Sequence, residues 1–353
     1  MRRENFIDLP FKSIIEKYDY YLEGKIDFIV CEFKEPNPRV INYQMKILKD
    51  NRVVTNKSVT NDLSIWNLKT RKVDMTLSGH TNPIMSIKIL NDDRIVSLSL
   101  YGSIKIWNSN TGQCEHTLTV SAFTCMIISE NDDIITMEKI ANFIKVWDSD
   151  TGICKLNISI PVNKHVITII TIKNKLIFAL EDFPNKIFEI NIWNLDSKTY
   201  TQTITHPEDY INNLIKFDEN RICREFSDNT LRIWNIMTGE CEIIKNQNSS
   251  HNYFCIILHD KRMIKGDGSG NITIWNYGEI ERTLLGHSKN IKSLKLLPDG
   301  RLISASIDGV TKIWNLESYE CELTFNTHII NVIKILSDGR IITNQNGRII
   351  VWK

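Results

Sequence analysis

Apolar and polar residues alternate in short runs along this chain, and the runs recur at a regular interval. In one copy, IKSLKLL is strand-like, PDG is a turn, RLISAS is a second strand, and VTKIW and CELTF follow as two more strands. Period-two alternation between turns rich in glycine and aspartate is typical of antiparallel β-strands. No stretch inside the copies has the pattern of a long helix. Each copy therefore predicts one small four-stranded sheet.

The tryptophans of the chain mark the repeat, because each one ends the third predicted strand of a copy. They are Trp66, Trp107, Trp147, Trp193, Trp234, Trp275, Trp314 and Trp352. Their spacings are 41, 40, 46, 41, 41, 39 and 38 residues, which is a strong internal repeat. A sheet with two apolar faces cannot bury both alone, whereas radial stacking of the copies covers every face.

The period, the Trp-Asn or Trp-Asp pair and the Gly-His pairs at residues 79–80 and 286–287 are similar to those of the WD-repeat β-propeller family. The composition also resembles that of WD-repeat proteins from AT-rich genomes such as giant viruses. The resemblance implies an all-β fold: a single eight-bladed β-propeller of four-stranded antiparallel blades. Seven blades, with one divergent copy outside the ring, is the alternative.

The last copy lacks a fourth strand, because the chain stops one residue after Trp352. WD-repeat propellers commonly fill such an edge with N-terminal residues, and KIDFIVCEF near the start suits this role. We therefore predict a closing strand within residues 25–34 and a propeller domain over residues 25–353. Residues 1–24 form a separate N-terminal segment, in which an apolar stripe at helical spacing predicts a short helix over residues 8–24. This helix either packs on the propeller or docks on another protein.

The WD-repeat family stabilises its blades with a His before the first strand, a Ser or Thr in the second, an Asp in the next turn and the Trp. By position, one copy has all four: His287, Ser304 (or Ser306, on the same strand face), Asp308 and Trp314. The second copy has His80 and Ser97, but Tyr101 stands at the aspartate position. We expect most blades to rely on packing more than on this network. The Asn after each Trp is expected to form a turn through its side-chain oxygen.

Four of the eight cysteines occupy one slot of the repeat, seven residues after a tryptophan: Cys114, Cys154, Cys241 and Cys321. Equivalent positions in different copies are too far apart for disulfides, so free, buried thiols are expected. The chain has no Cys-x-x-Cys pair, and its histidines suggest no metal site. The glycines of KGDGSGN lie between two predicted strands, which favours a hairpin turn over a phosphate-binding loop. We predict no metal, no cofactor and no catalytic residue.

The net charge of +1 gives no bulk electrostatic reason to expect nucleic acid or a membrane as partner. No apolar stretch reaches the roughly 18–20 residues that span a bilayer. We expect an intracellular, monomeric propeller in the cytoplasm, with the nucleus left open.

Two surfaces are candidates for partner binding. A basic residue follows the first turn of seven copies, which predicts a basic ring of Arg52, Arg94, Lys175, Arg221, Arg262, Arg301 and Arg340. The alternative is that these residues are simply solvated beside nearby aspartates. The opposite face carries a loop with about five extra residues, which predicts a binding patch of Tyr101, Phe183, Pro184 and Tyr210.

The function that the resemblance implies is a non-catalytic protein–protein interaction scaffold or adaptor, which binds one or more proteins or peptides on a propeller face. A specific version is a substrate-recognition subunit of a ubiquitin ligase. The alternative is an RNA-binding propeller in a ribonucleoprotein complex, although the near-zero charge and the lack of an aromatic and basic stripe disfavour it.

Overall fold

The computed structural model describes residues 26–32, 44–56, 60–121, 125–138, 142–182, 187–207, 214–225, 230–245, 254–276, 279–326, 330–345 and 348–352. These ranges contain β-strands and no helix, which confirms the predicted all-β class. The predicted helix over residues 8–24 lies outside the described residues. The division into residues 1–24 and 25–353 therefore stays a prediction.

The strands form eight four-stranded antiparallel sheets, one for each tryptophan, and follow a first strand, β1 (Ile26–Glu32). Blades 1 to 4 contain β2 (Met45–Ile47), β3 (Val53–Asn56), β4 (Leu63–Asn67), β5 (Lys72–Leu77); β6 (Ile84–Ile89), β7 (Ile95–Ser99), β8 (Ser103–Trp107), β9 (Cys114–Thr119); β10 (Cys125–Ile128), β11 (Ile134–Glu138), β12 (Phe143–Trp147), β13 (Cys154–Ser159); and β14 (Lys164–Ile172), β15 (Lys175–Asp182), β16 (Ile187–Asn194), β17 (Thr199–Pro207).

Blades 5 to 8 continue the same order around the ring. They contain β18 (Ile215–Lys216), β19 (Arg221–Glu225), β20 (Thr230–Asn235), β21 (Cys241–Lys245); β22 (Phe254–Ile257), β23 (Met263–Gly266), β24 (Ile272–Asn276), β25 (Glu279–Leu284); β26 (Ile291–Leu296), β27 (Leu302–Ser306), β28 (Val310–Trp314), β29 (Cys321–Asn326); and β30 (Ile330–Ile335), β31 (Ile341–Gln345), β32 (Arg348–Trp352). The predicted eight blades are confirmed, and the seven-bladed alternative is wrong.

The N-terminal strand completes blade 8, whose strand order is β1-β32-β31-β30. β1 runs antiparallel to β32, with Ile26 opposite Trp352 and Glu32 opposite Arg348. It takes the outer position that the other blades fill with their own fourth strand. The predicted closing strand is confirmed, and the ring is closed by pairing between the two ends of the chain.

The core lies between blades, where each buried tryptophan packs against the preceding blade. Trp107 of blade 2 is 2% exposed and lies in a cluster with Val54 and Leu63 of blade 1. Trp66 of blade 1 likewise packs with Ile342 of blade 8, across the closure of the ring. Because neighbouring blades cover each other's apolar faces, no blade buries its faces alone.

The repeated cysteines differ from expectation in one respect. Cys114, Cys154, Cys241 and Cys321 are free, but all four are exposed, so their predicted burial is wrong. Each begins the outermost strand of its blade opposite the tryptophan, and Trp107, Trp147 and Trp314 adjoin a register shift in that pairing. The outermost strand has no neighbour on its outer side. The thiols of Cys114, Cys154 and Cys321 instead donate to the backbone carbonyl two residues along.

Candidate functional site

The antiparallel strand order gives the ring two faces and a central channel. The turns that join first to second and third to fourth strands lie on one face, which we call the 1–2 face. The turns between second and third strands and the connections between blades lie on the other, the 2–3 face. The first strands form the innermost wall: β2 contacts β6 and β30, and β10 contacts β6 and β14.

Blade 7 contains a continuous hydrogen-bonded chain of the four predicted network residues. His287 Nδ1 lies 3.0 Å from the Asp308 carboxylate, and His287 Nε2 lies 2.8 Å from Ser304 Oγ. The Trp314 indole N–H donates to the same hydroxyl at 2.8 Å. Burial lowers the pKa of His287 in spite of the attraction of Asp308, so the ring is neutral and Ser304 donates to Nε2.

These hydrogen bonds follow the Asp-His-Ser order of a hydrolase triad, but the residues are not arranged for catalysis. Ser304 is fully buried, and its oxygen already accepts the tryptophan N–H. A nucleophilic serine needs an accessible oxygen and donors positioned for a developing oxyanion. The arrangement fixes the connection before blade 7 onto its second and third strands and serves stability. Ser306, the other serine of the strand, donates instead to the carbonyl of Lys289 at 2.7 Å.

Blade 2 builds the same unit without an aspartate. His80 Nε2 lies 2.6 Å from Ser97 Oγ, which also accepts the Trp107 indole N–H at 2.8 Å. His80 Nδ1 contacts Ser103 Oγ at 3.0 Å, so a hydroxyl takes the place of the missing carboxylate. Burial and the nearby Lys105 lower the pKa of His80 to about 4. Sequence comparison of the copies missed Ser103, because it lies at the start of the third strand and not in the turn.

We predict that acid weakens blade 2 through His80. The pKa of His80 is about 4 in the folded protein and 6.5 when solvated. The stability that its neutral form contributes is therefore intact above pH 6.5 and is lost as the pH falls toward 4. Between pH 7 and pH 4.5 this loss amounts to about 2 kcal/mol. Urea unfolding at both pH values should show a smaller difference for His80→Gln than for the wild type. An equal difference in the two proteins would contradict the role of His80.

The contact between the indole N–H and a hydroxyl extends beyond blades 2 and 7. In five blades the indole N–H donates to a hydroxyl of the second strand at 2.8–3.0 Å, and the acceptors are Thr55, Ser97, Thr136, Ser304 and Thr343. The sequence shows this in VVTN, IVSLS, IITME, LISAS and IITNQ, which all carry Ser or Thr in a similar place. This contact adds to the packing on which most blades are expected to rely, and that expectation stays a prediction.

In blade 6 the hydroxyl and the lysine beside the tryptophan lie on the opposite strands from those in other blades. In blades 2, 3 and 7 the hydroxyl lies on the second strand, opposite a lysine of the third strand that lies over the tryptophan ring. In blade 6 Lys265 is on the second strand, opposite Thr273 of the third. The Trp275 indole N–H donates to Thr273, and the Lys265 ammonium lies 4.5 Å from the ring centre. Hydroxyl and cation are both retained with their strands reversed.

The residue after the tryptophan forms the predicted turn. The Asn108 side-chain oxygen accepts from the N–H groups of the residues two and three positions ahead. Its amide group also donates to Glu115 at 3.0 Å. In blade 3 an acid, Asp148, replaces the amide, and its neighbour across the strands is Lys155, 2.8 Å away. The choice of Asn or Asp therefore matches the charge of the facing residue, and the predicted turn is confirmed.

The predicted basic ring lies on the 1–2 face, but its cations are engaged. Six of its members pair with an aspartate in their own turn: Arg52, Arg94, Arg221, Arg262, Arg301 and Arg340. Three also reach the next blade, where Arg52 donates to the carbonyl of Ser109, Arg94 to that of Ser149 and Arg262 to the hydroxyl of Tyr319. Lys175 lies against Met237 of blade 5. These contacts hold turns and blades together. A partner-binding role for the ring stays a prediction.

The predicted patch is described in part. Tyr101 lies in the turn between β7 and β8 and is 62% exposed. Phe183, Pro184 and Tyr210 are outside the described residues, and the patch stays a prediction. The extra residues of this copy lengthen the hairpin, since β15 and β16 have 8 residues each. Other exposed apolar side chains of the 2–3 face in blades 2 to 4 are Met85, Val162 and Ile187.

Neither a metal site nor a membrane span is found in the described part of the chain. Within those ranges, no three His, Cys, Asp or Glu side chains converge as a metal ion would require. None of the described residues forms a helix long and apolar enough to cross a bilayer.

Comparisons with known proteins identify the repeat. The family model "WD domain, G-beta repeat" matches residues 71–108 and 278–315. Autophagy-related protein 16 of Arabidopsis thaliana is 28% identical over 76 residues, 21% of this chain and 15% of that protein. Apoptotic protease-activating factor 1 of Mus musculus is 24% identical over 124 residues, 32% of this chain and 10% of that protein. The alignments thus span a small part of either relative.

A solved structure gives the fold over the whole ring. The computationally designed Ika8 protein has a TM-score of 0.68 with 19% identity, over 94% of this chain and 98% of that one. At this identity the likeness concerns the fold alone. The two copies that match the family model, in blades 2 and 7, are the two in which the tryptophan, serine and histidine form one hydrogen-bonded unit. The chain is an eight-bladed β-propeller in which two copies match the WD-repeat family model.

Proposed function

We propose that this propeller is a non-catalytic scaffold that binds a protein or peptide on its 2–3 face. WD-repeat propellers are generally protein-interaction scaffolds. The supporting observation is the set of exposed apolar side chains that blades 2 to 4 carry on that face. Val162 is 88% exposed and Tyr101 62%, and Met85 and Ile187 add smaller exposed areas. Side chains of this type on a rigid frame are typical anchors of protein interfaces.

The 1–2 face is the weaker candidate. Its arginines are committed to aspartates and backbone carbonyls, so a partner would have to break these contacts before binding. The longer hairpin formed by β15 and β16 projects on the 2–3 face. Extended loops on a rigid scaffold are where binding residues concentrate.

A finer version of the proposal is a substrate-recognition subunit of a ubiquitin ligase. It rests on the faint resemblance of LPFKSIIEKY, residues 9–18, to the first helix of F-box domains. In this version the propeller would hold the substrate and the N-terminal segment would contact the ligase. We also propose an intracellular location, because exposed free thiols such as Cys114 and Cys321 persist most readily in a reducing compartment. Fractionation of cells that express the tagged protein would test the location.

The 2–3 face is tested with substitutions on that face and a control substitution on the opposite face. Tyr101→Ser combined with Val162→Ser is expected to reduce capture of a native protein partner by about tenfold or more, because an interface loses its central anchors. Phe183→Ala is expected to act in the same direction without unfolding the protein. Ile153→Ser is the control, since Ile153 is 65% exposed on the 1–2 face. Quantitative affinity capture, with melting curves for each variant, is the measurement. Equal capture by all variants would exclude this face.

Nuclease treatment separates the alternative function. If the captured material is protein that survives nuclease and depends on Tyr101 and Val162, the scaffold proposal stands. If capture is lost with nuclease and is unaffected by these two changes, the propeller is an RNA-binding module and the proposal fails.

A further inference from the structure

The inner wall of the ring carries a charge pattern that the repeat motif does not include. In seven blades the first turn is closed by the same backbone hydrogen bond: Leu48 to Arg52, Leu90 to Arg94, Ser129 to Asp133, Phe217 to Arg221, Leu258 to Arg262, Leu297 to Arg301 and Leu336 to Arg340. In blade 4 the pairing of Ile172 with Lys175 fixes the same register. These bonds define equivalent residues of the first strands in all eight blades.

The residue whose N–H donates this bond, or Ile172 in blade 4, serves as the reference in each blade. We call the residue two positions before it the channel position. Its occupants, from blade 1 to blade 8, are Lys46, Lys88, Ile127, Ile170, Ile215, Ile256, Lys295 and Lys334. Four neighbouring blades, 7, 8, 1 and 2, therefore carry lysine, and the other four carry isoleucine. We call the four lysines the lysine half-ring.

The four ammonium groups face a common space. Burial lowers the pKa of Lys46 to about 8, and repulsion from Lys334, Lys88 and Lys295 adds to the effect. Burial, Lys295 and Lys88 also lower the pKa of Lys334. Lys295 belongs to blade 7 and Lys46 to blade 1, so this repulsion acts between blades that are not adjacent. The channel is the space that such blades share.

In the described part of these blades, no acid lies on the first strands to compensate the half-ring. The first strands of blades 7, 8, 1 and 2 contain no Asp or Glu. The aspartates in the turns that follow them are paired with the turn arginines: Asp299, Asp338, Asp50 and Asp92. On the isoleucine side, Glu130 is bound by Lys216 at 3.0 Å. Four like charges held together cost folding free energy, which a bound anion would offset.

We propose that the lysine half-ring binds a compact anion that carries several phosphate groups. The four lysines occupy one level of the channel, so their charges lie in an arc and not along its axis. An extended acidic peptide spreads its carboxylates along about 3.3 Å per residue and matches an arc poorly. A small polyphosphate presents its charges within one layer and can contact several ammonium groups at once. The isoleucines hold such a ligand on the lysine side, since they offer it no hydrogen bond.

This site is independent of the 2–3 face, so the two proposals can fail separately. The probe is inositol hexakisphosphate, titrated calorimetrically into wild-type protein at physiological salt. Lys46→Gln combined with Lys334→Gln should weaken binding about 100-fold, because each charged contact contributes about tenfold. The control is Lys69→Gln combined with Lys72→Gln, which removes the same charge from exposed positions outside the channel. It should bind within about twofold of wild type, as should Tyr101→Ser.

Stability and vesicle binding complete the test. Without the probe, the Lys46/Lys334 double variant should melt higher than wild type at low salt, because repulsion is relieved. The probe should raise the melting temperature of the wild type and of the Lys69/Lys72 control, but not that of the Lys46/Lys334 variant. Vesicles of phosphatidylcholine with and without phosphatidylinositol 4,5-bisphosphate identify the source. Capture that requires the bisphosphate and both lysines indicates a lipid headgroup, and binding of the soluble probe alone indicates a free phosphate compound. The proposal is overturned if neither probe binds, if the control loses as much affinity, or if an acidic peptide alone occupies the channel.

Discussion

Removal of residues 1–33 is expected to lower the melting temperature by about 10 °C or more. Blade 8 then loses β1, and the backbone groups of β32 that face it become an unpaired edge. The ring also loses the pairing that joins the two ends of the chain. Because Trp352 and Val351 pack within blade 8 and against its neighbours, loosening this sheet exposes apolar surface on both sides.

Removal of residues 1–24 is the matched control, since it leaves β1 in place. This shorter deletion should melt close to the full chain, and a peptide of residues 25–34 should partly restore the longer deletion. Differential scanning calorimetry of the three proteins gives the answer. If the two deletions melt alike, the closing strand contributes little, and other contacts hold the ring together.

The features that the sequence revealed are those that repeat along the chain. Trp107 and Asn108 have equivalents in other copies. The packing of the tryptophan between blades and the turn formed by the asparagine therefore follow from the repeat alone. The closing strand could be inferred because a blade without a fourth strand leaves an edge that some other segment must pair with. Both inferences depend on local pattern and on the stacking of equal units.

The features that were missed depend on the assembled ring: on contacts between copies, or on which strand of a blade is outermost. Arg94 looked available for a partner, yet its guanidinium group reaches Ser149 of the next blade, 55 residues away in sequence. Cys114 was expected to be buried because it is apolar, but it lies on the outer strand. Lys46 and Lys334 are far apart in the chain, and only closure of the ring brings them together. A sequence pattern shows what each copy contains and not which groups meet across the ring.

The two proposals together give the ring two separate functions. The exposed apolar groups around Tyr101 and Val162 lie on the 2–3 face, whereas the lysine half-ring lies two residues from the turns of the 1–2 face. A protein on the first surface leaves that end of the channel open to a small anion. Such an anion would relieve repulsion among the first strands of blades 7, 8, 1 and 2, and would stabilise the scaffold without touching its partner.

Ser304→Ala is expected to lower the free energy of unfolding by about 2–4 kcal/mol. The change removes one hydroxyl, but it leaves two buried groups without their partner: Nε2 of His287 and the indole N–H of Trp314. Each such group costs about 1–3 kcal/mol, because it lost water on folding and gains no hydrogen bond in return. The small cavity left by the oxygen adds to this cost. Denaturant unfolding at pH 7 measures the difference.

Comparison with Thr136→Val isolates the contribution of the His287 contact to stability. Thr136 accepts the indole N–H of Trp147 at 3.0 Å, and the described hydrogen bonds of this hydroxyl include no histidine. Valine keeps the shape of threonine, so one buried donor is left unpaired and the expected loss is about 1 kcal/mol. If Ser304→Ala costs no more than Thr136→Val, the His287 contact contributes nothing to stability. If it costs about twice as much or more, the hydroxyl joins two groups whose losses add, and the connection before blade 7 is held by hydrogen bonding as well as by packing.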